Sequence, residues 1–396
     1  MIGPEKLQSI PEQMAQLMRE LQDWGIRDIA GRIARMGLVS GASENMLITL
    51  SAQDVFQTDL QKKIQEVLKV SDSQIEELFT QAVSSGYTYT KPMYAKAGLP
   101  FVPFEENYFM QSLTQNIIEQ TQGDFANITR SMGFAVERNG KLSYETIADF
   151  YQRELNFATT KVAAGMQPFE AAVKEAVTRM ADSGVRAYVD YPSGRKDRLD
   201  VAARRAVLGA MKELTVRQSE YYATEMGVTT FEFSWHGGHR PSHGWGGRRY
   251  DRLGVHYPRK SAVYEKYGGG TLDDYNCYHE EYAVFPDSPP KLTDEQLAQL
   301  EAKELEEIEF EGKSYNAYKA RQQQRKMERV MRRQKSVIAG LEGSLVEDGA
   351  LPEIVAELKL AKLRMRGYRK EYKEFSSVMG IPTEFERVNT GQVIIE

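Results

Sequence analysis

A chain of 396 residues, 41% hydrophobic and 27% charged, has room for two or three domains with real cores, and a net charge of −5 argues against a whole-molecule nucleic-acid binder while leaving space for a local basic face. One cysteine excludes an internal disulfide framework and fits a reducing compartment. No apolar run approaches the roughly 20 residues that cross a bilayer, so no membrane contact is expected, and the opening MIGPEKLQSIPEQM lacks the basic and apolar regions of a signal peptide.

Residues 1 to about 70 read as amphipathic helix. Leu7, Ile10, Met14, Leu17 and Leu21 recur at helical spacing, and Ile26, Ile29, Ile33 and Met36 do so in a following segment. Ser43 or Asn45 caps a further helix with Leu47, Leu50, Val55, Leu60, Ile64 and Val67 on one face. Ser71 with Gln74, and Ser73 with Glu76, form two overlapping capping boxes that predict a new helix start. Between 87 and 109 the chain is aromatic and holds Pro92, Pro100 and Pro103, which predicts an extended connector. Helices then resume from 107. Ser143 is placed to cap a long one running through Phe150 and Leu155 to Val162. Pro168 opens another, which Gly184 ends, and a third runs from about 200 to 226 and stops at Gly227.

At 229–235 the period changes to two, with β-branched and aromatic residues, which is the clearest strand signal in the chain. The proline-rich stretch 286–290 reads as a stiff linker. Beyond it charge is segregated. Residues 294–311 carry eight acidic side chains against Lys303, and 319–335 carry eight basic ones against Glu328. The basic stretch is suited either to DNA phosphates or to an acidic surface, and the matched counts favour pairing with 294–311. Leu358, Ala361, Met365, Tyr368, Tyr372, Phe375 and Met379 step by three and four, a heptad seam that makes 314–379 an antiparallel helical hairpin stopped at Gly380. The expected fold is mainly α with a small α+β module, long amphipathic helices and the C-terminal hairpin. Its regions are a helical 1–184, a His/Gly/Trp-rich α+β module at 185–286, and a charged hairpin and tail at 291–396.

Rare side chains are concentrated in 231–285. All five histidines lie there (His236, His239, His243, His256 and His279), with Cys277, Trp235 and Trp245. His239, His243, Cys277 and His279 have the ligand types of a zinc shell. Their spacing is not that of a zinc finger, and Pro241 opposes a helix across 239–243. Cys277 with a histidine and Asp273 or Asp274 would make a thiol nucleophile, but no Cys-His signature surrounds it. A nuclease reading, with Arg240, Arg248, Arg249 and Arg252 on phosphates, lacks a carboxylate cluster at useful spacing. The run Gly268-Gly269-Gly270 lacks the context of a phosphate loop and predicts a tight turn. The reading favoured by residue chemistry is a compact fold in which His and Arg satisfy buried carbonyls, without a cofactor and without catalytic residues.

Several pieces resemble the phage minor capsid protein 2 family, related in kind to the Mu F-like head-morphogenesis proteins. These are Arg240-Pro241-Ser242-His243 followed by Trp245 and Gly247, then Asn276-Cys277 with His279. The stretch 185–191 with Ser193, Gly194 and Arg195, the helix start 200–207, and the helix 322–329 are also similar. The family commonly reads Asn-Cys-Arg-His, whereas Tyr278 stands in the Arg position here. The resemblance implies a structural minor head protein of a tailed phage, located in the virion and assembled in the bacterial host cytoplasm. It implies association with the portal vertex or capsid interior, action in head assembly or DNA packaging and ejection, and an oligomeric setting. Expected partners are the portal protein, other capsid proteins and packaged DNA. Arg240, Ser242, His243, Trp245, Gly247, Asn276, Cys277 and His279 are expected to form one structural cluster. Arg321, Arg325, Lys326, Arg329, Arg332 and Arg333 are candidates for partner or DNA contact. The alternative is a metal- or thiol-dependent hydrolase carried in the virion.

Overall fold

The computed structural model describes residues 4–36, 42–138, 141–150, 153–154, 156–157, 169–187, 197–274, 276–345 and 351–388. The fold is mainly α with a small α+β component, as the periodicity implied. The family-like positions at 188–196 and Pro168 lie outside the described residues, as do Tyr151, Leu155 and Val162 of the helix expected after Ser143.

Helix α1 (Pro4–Met36) is a single rod where two segments were expected. Gly25 stands between the two apolar runs, and a glycine in a helix costs only about 1 kcal/mol. Met14, Leu17, Leu21, Ile26, Ile29 and Ile33 are all at most 2% exposed, so one continuous buried stripe outweighs that cost. Helix α2 (Ala42–Ala97) likewise runs straight through both capping boxes. The Ser71 hydroxyl donates back to the Leu68 carbonyl at 2.8 Å instead of capping a new helix.

The expected connector is therefore shorter, beginning only after Ala97, and Pro92 sits inside the helix. Proline there costs about 3 kcal/mol. Tyr87 and Tyr94, on either side of it, are buried edge-on against Phe101 and Tyr222 at 5.4–5.9 Å. Burying two such rings contributes about 1.5–3 kcal/mol each, enough to hold the helix together. Asn107 then caps α3 (Tyr108–Arg130), accepting from the Met110 amide at 3.0 Å.

A second departure follows α3. Strands β1 (Met132–Arg138) and β2 (Lys141–Thr146) form an antiparallel hairpin, and Ser143 pairs with Val136 inside it rather than capping a helix. The cap is Thr146, whose Oγ1 accepts from the Asp149 amide at 3.1 Å at the start of the helical residues 147–150. Asn139-Gly140, between the strands in sequence, is the strongest short hairpin signal a sequence offers. Helix α4 (Phe169–Ser183) ends at Gly184 with φ +60°, as expected. Strands β3 (Val185–Ala187) and β4 (Asp197–Arg198) extend the hairpin into a sheet of order β2-β1-β3-β4.

Helix α5 (Leu199–Glu225) packs beside α1 and stops before Gly227, φ +65°. Its first turn places Asp200 among three guanidiniums, Arg19 at 3.7 Å and Arg198 and Arg332 at 3.8 Å each. Burial opposes the charge of Asp200, but these cations outweigh it and hold the carboxyl below its ordinary range. One carboxylate thereby ties α1, α5 and the C-terminal hairpin together.

The second sheet lies within the stretch 185–286 expected as the α+β module, whose first residues, β3 and β4, belong instead to the first sheet. Strand β5 (Thr230–Phe233) lies between β6 (Arg249–Asp251) and β7 (Glu281–Ala283), antiparallel to both. All four residues of β5 are buried, so its two-residue period does not separate a wet face from a dry one. Helix α6 (Lys260–Lys266) covers one side, and α7 (Asp294–Leu305) follows with both bonds of a Thr293–Gln296 capping box.

After a short hairpin, β8 (Ile308–Phe310) and β9 (Lys313–Tyr315), come α8 (Ala317–Gly343) and α9 (Pro352–Val378). Gln324 bonds Ser376, Tyr372 bonds Glu328, and Gln334 bonds the Ala361 carbonyl, a register that runs antiparallel. Leu358, Ala361, Met365, Tyr372, Phe375 and Met379 of the seam are buried. The pairing expected between the charged segments is present in Lys319–Glu307 at 3.0 Å. Elsewhere the basic residues turn to other acids, Arg321 to Glu384 at 3.2 Å and Arg333 to Asp182. The acidic segment in turn holds the module, with Glu301 on Arg248 at 2.7 Å and Glu304 on the Gly238 amide at 2.7 Å. Among the described residues no helix is long and apolar enough to cross a membrane.

Candidate functional site

Strand β5 sets the position of everything around it because it carries a buried charge. Glu232 is 1% exposed and takes hydrogen bonds from Arg249 at 2.8 Å, the Tyr282 hydroxyl at 2.7 Å and the Lys291 amide at 3.2 Å. Arg249 in turn donates to the carbonyls of Ser288 at 2.7 Å and Pro289 at 3.0 Å, drawing the proline-rich stretch onto the sheet. A buried carboxylate is stable only with such full partnering. Asp251 at the end of β6 accepts from the hydroxyls of Thr229 and Thr230 and from the amides of Leu253 and Gly254, fixing the next turn.

Beyond β5 the chain runs through the histidine-rich stretch and returns as β7, so residues 234–248 face residues 270–274 and 276–280 across the sheet end. Residues 241–243 form a single 3₁₀ turn rather than an α-helix, as Pro241 requires. His243 is 2% exposed, and its Nε2 lies 2.9 Å from Asp274 Oδ2. Trp245 is fully buried and donates its indole N–H to the Gly270 carbonyl at 2.8 Å. His279, 1% exposed, sets its ring at a tilt 4.6 Å from Trp245 and 4.2 Å from His236. Cys277 Sγ is 3.5 Å from His279 Nδ1, while His279 Nε2 is buried with no hydrogen-bond partner.

Electrostatics keep these rings neutral at neutral pH. Burial drives His279 well below its ordinary value, with neighbouring imidazoles adding to the effect, and lowers His236 to about 4. Burial also lowers His243 despite its bond to Asp274, whose carboxyl that bond holds down. The Cys277 thiol is pushed up by burial, with Lys212 opposing. A thiol in that state is the opposite of an activated nucleophile, which needs a lowered pKa and some exposure.

The expected cluster is brought together in two parts. His243, Trp245, Cys277 and His279 form the buried contact set. Arg240 and Asn276 line the adjoining cleft of about 170 Å³, with His236, His239 and the hairpin residues Arg321 and Arg325. Ser242 and Gly247 contribute through their backbones, the Ser242 carbonyl accepting from the Gly270 amide at 3.0 Å and Gly247 adopting φ +76°. His239 stands farther off, its ring 6.0 Å from His279, and His256 is exposed away from the cluster. Tyr278, in the position of the family's Arg, is buried, and Arg204 of α5 donates to its hydroxyl.

The six basic candidates do not form one stripe. Arg321 and Arg325 face the cleft, Arg332 reaches Asp200 and the Arg387 carbonyl, Arg333 meets Asp182, and Lys326 and Arg329 are exposed.

Sequence reading missed the roles of Asp274, Gly270 and His236, whose partners are distant along the chain. The glycine run did carry the signal. Gly268, at φ +122°, would place a Cβ 2.8 Å from the Ser242 backbone, whereas Gly269, at φ +80°, has open space. Gly268→Ala is therefore expected to cost about 2–3 kcal/mol by strain and clash together, and Gly269→Ala about 1 kcal/mol by strain alone. Denaturant titration followed by tryptophan fluorescence measures both, and equal costs would contradict the close approach.

Compared with known proteins, the chain matches the family model described as Phage minor capsid protein 2 over residues 2–375. No curated protein and no solved structure matches it.

Proposed function

The chain belongs to the phage minor capsid protein 2 family, and from that premise we propose that it is seated at the portal vertex or on the interior of a tailed-phage head, where it acts in head assembly or in DNA packaging and ejection. As a family member it is a structural protein of the phage head, found in the virion among other capsid components. The observation that carries this reading is the extent of the match, which takes in α1, the histidine-rich module and nearly all of the C-terminal hairpin.

Surface chemistry supports a role in contact. Leu360 and Leu363 are 47% and 56% exposed on α9, flanked by Lys359, Lys362 and Arg364. Apolar side chains within a cationic face suit docking against an acidic, partly apolar partner helix. The portal protein and neighbouring capsid proteins are the proposed partners, in an oligomeric setting. The exposed Lys326 and Arg329 are proposed to meet packaged DNA.

Imaging purified heads with this chain labelled tests the placement. Label at the portal vertex or inside the shell is expected. Heads that lack the chain altogether would overturn the reading.

A further inference from the structure

We propose that His243, Cys277 and His279 bind one zinc-class divalent metal ion, with His236, its ring 4.2 Å from that of His279, placed to complete the shell. Their ligand atoms all lie within 4.8 Å of one another, and all three residues are buried. A tetrahedral zinc ion with Zn–S about 2.3 Å and Zn–N about 2.0–2.1 Å sets its sulfur and nitrogen ligands about 3.5 Å apart. The Cys277 Sγ to His279 Nδ1 separation is 3.5 Å, the edge of that tetrahedron.

Two further features of the site point to a ligand rather than to packing alone. Asp274 Oδ2 accepts a hydrogen bond from His243 Nε2–H at 2.9 Å, which leaves the lone pair on Nδ1. A carboxylate holding the far nitrogen of a histidine is the usual outer support of a zinc ligand. His236 Nδ1–H donates a hydrogen bond to the Gly237 carbonyl at 3.1 Å, leaving Nε2 unprotonated beside His279.

The donor set selects the metal. One thiolate with imidazoles favours zinc, cobalt or copper over magnesium, calcium or manganese, which prefer oxygen. On binding, the Cys277 thiol loses its proton to solvent and forms the metal–sulfur bond. Among the histidines proposed from sequence, His243 and His279 remain as ligands and His239 becomes a residue of the cleft wall. The site lies beneath the Trp245 indole, where a bound ion would crosslink the segment after β5 to the segment before β7.

The test uses the full chain, stripped with a chelator and titrated with Co2+ and then Zn2+. Wild-type protein is expected to take up about one ion per chain, with a sulfur-to-cobalt charge-transfer band and the intense visible bands of tetrahedral cobalt. Cys277→Ser is expected to abolish the charge-transfer band. Asp274→Asn is expected to weaken binding roughly 10–100-fold while keeping the band at saturating metal. His256→Ala, outside the cluster, should bind as the wild type does. Tryptophan fluorescence of each metal-free variant checks that its module is folded. Wild-type chain that takes up no cobalt overturns the proposal, and so does a folded Cys277→Ser chain with an unchanged spectrum.

Discussion

Replacing Arg249 with alanine is expected to destabilise the central module by about 3–5 kcal/mol, the usual cost of stripping one partner from a buried ion pair. The pair is nearly dry, with side-chain exposures of 4% and 1% for Arg249 and Glu232. The substitution strands the Glu232 carboxylate and also frees the carbonyls of Ser288 and Pro289. Adding Glu232→Gln to the Arg249→Ala chain should recover a good part of the loss, because the buried charge is then gone. Two of the three tryptophans, Trp235 and Trp245, lie in this module, so their fluorescence in urea reports on it. A loss under 1 kcal/mol would show that Glu232 is not held by this pair.

The second large effect belongs to the hairpin. Tyr372 is fully buried, donates its hydroxyl to Glu328 at 3.2 Å and accepts from the Glu384 amide at 2.9 Å. Its ring meets Phe385 edge-on at 5.2 Å. Tyr372→Ala removes an aromatic core side chain, worth about 3–5 kcal/mol in cavity and transfer terms, and leaves buried Glu328 short of a donor. Tyr372→Phe keeps the ring and should cost only about 1–2 kcal/mol. Protection of α8 and α9 amides in hydrogen exchange separates the two, and comparable protection in both variants would contradict the role given to the ring.

What could be read from the sequence followed the range of the interactions. The seam from Leu358 to Met379 was legible because its contacts repeat every three or four residues, a period written along the chain itself. Strand β5 was legible for the same reason, though not that both its faces are buried. The capping boxes at 71–76 and the proline at 92 were misread because tertiary burial, of Tyr87 and Tyr94 above all, overrode local signals worth only a few kcal/mol. The β1–β2 hairpin was missed although Asn139-Gly140 announces it. Within the module, the concentration of histidine, cysteine and tryptophan marked the place. The pairing of His243 with Asp274, and of Trp245 with the Gly270 carbonyl, could not be foreseen, because no local rule links residues so far apart.

Trp245 bridges β5 through Phe233 at 4.6 Å and the histidines through His279 at 4.6 Å. If the cluster braces a module that the long helices carry into a phage head, the chain must keep that brace to be incorporated. The decisive measurement is quantitative mass spectrometry of this chain in purified heads assembled with wild-type or Trp245→Ala protein. Heads depleted of the variant, with the unincorporated chain sensitive to protease in its module, are the expected result. Heads that contain the variant at the wild-type amount would contradict it.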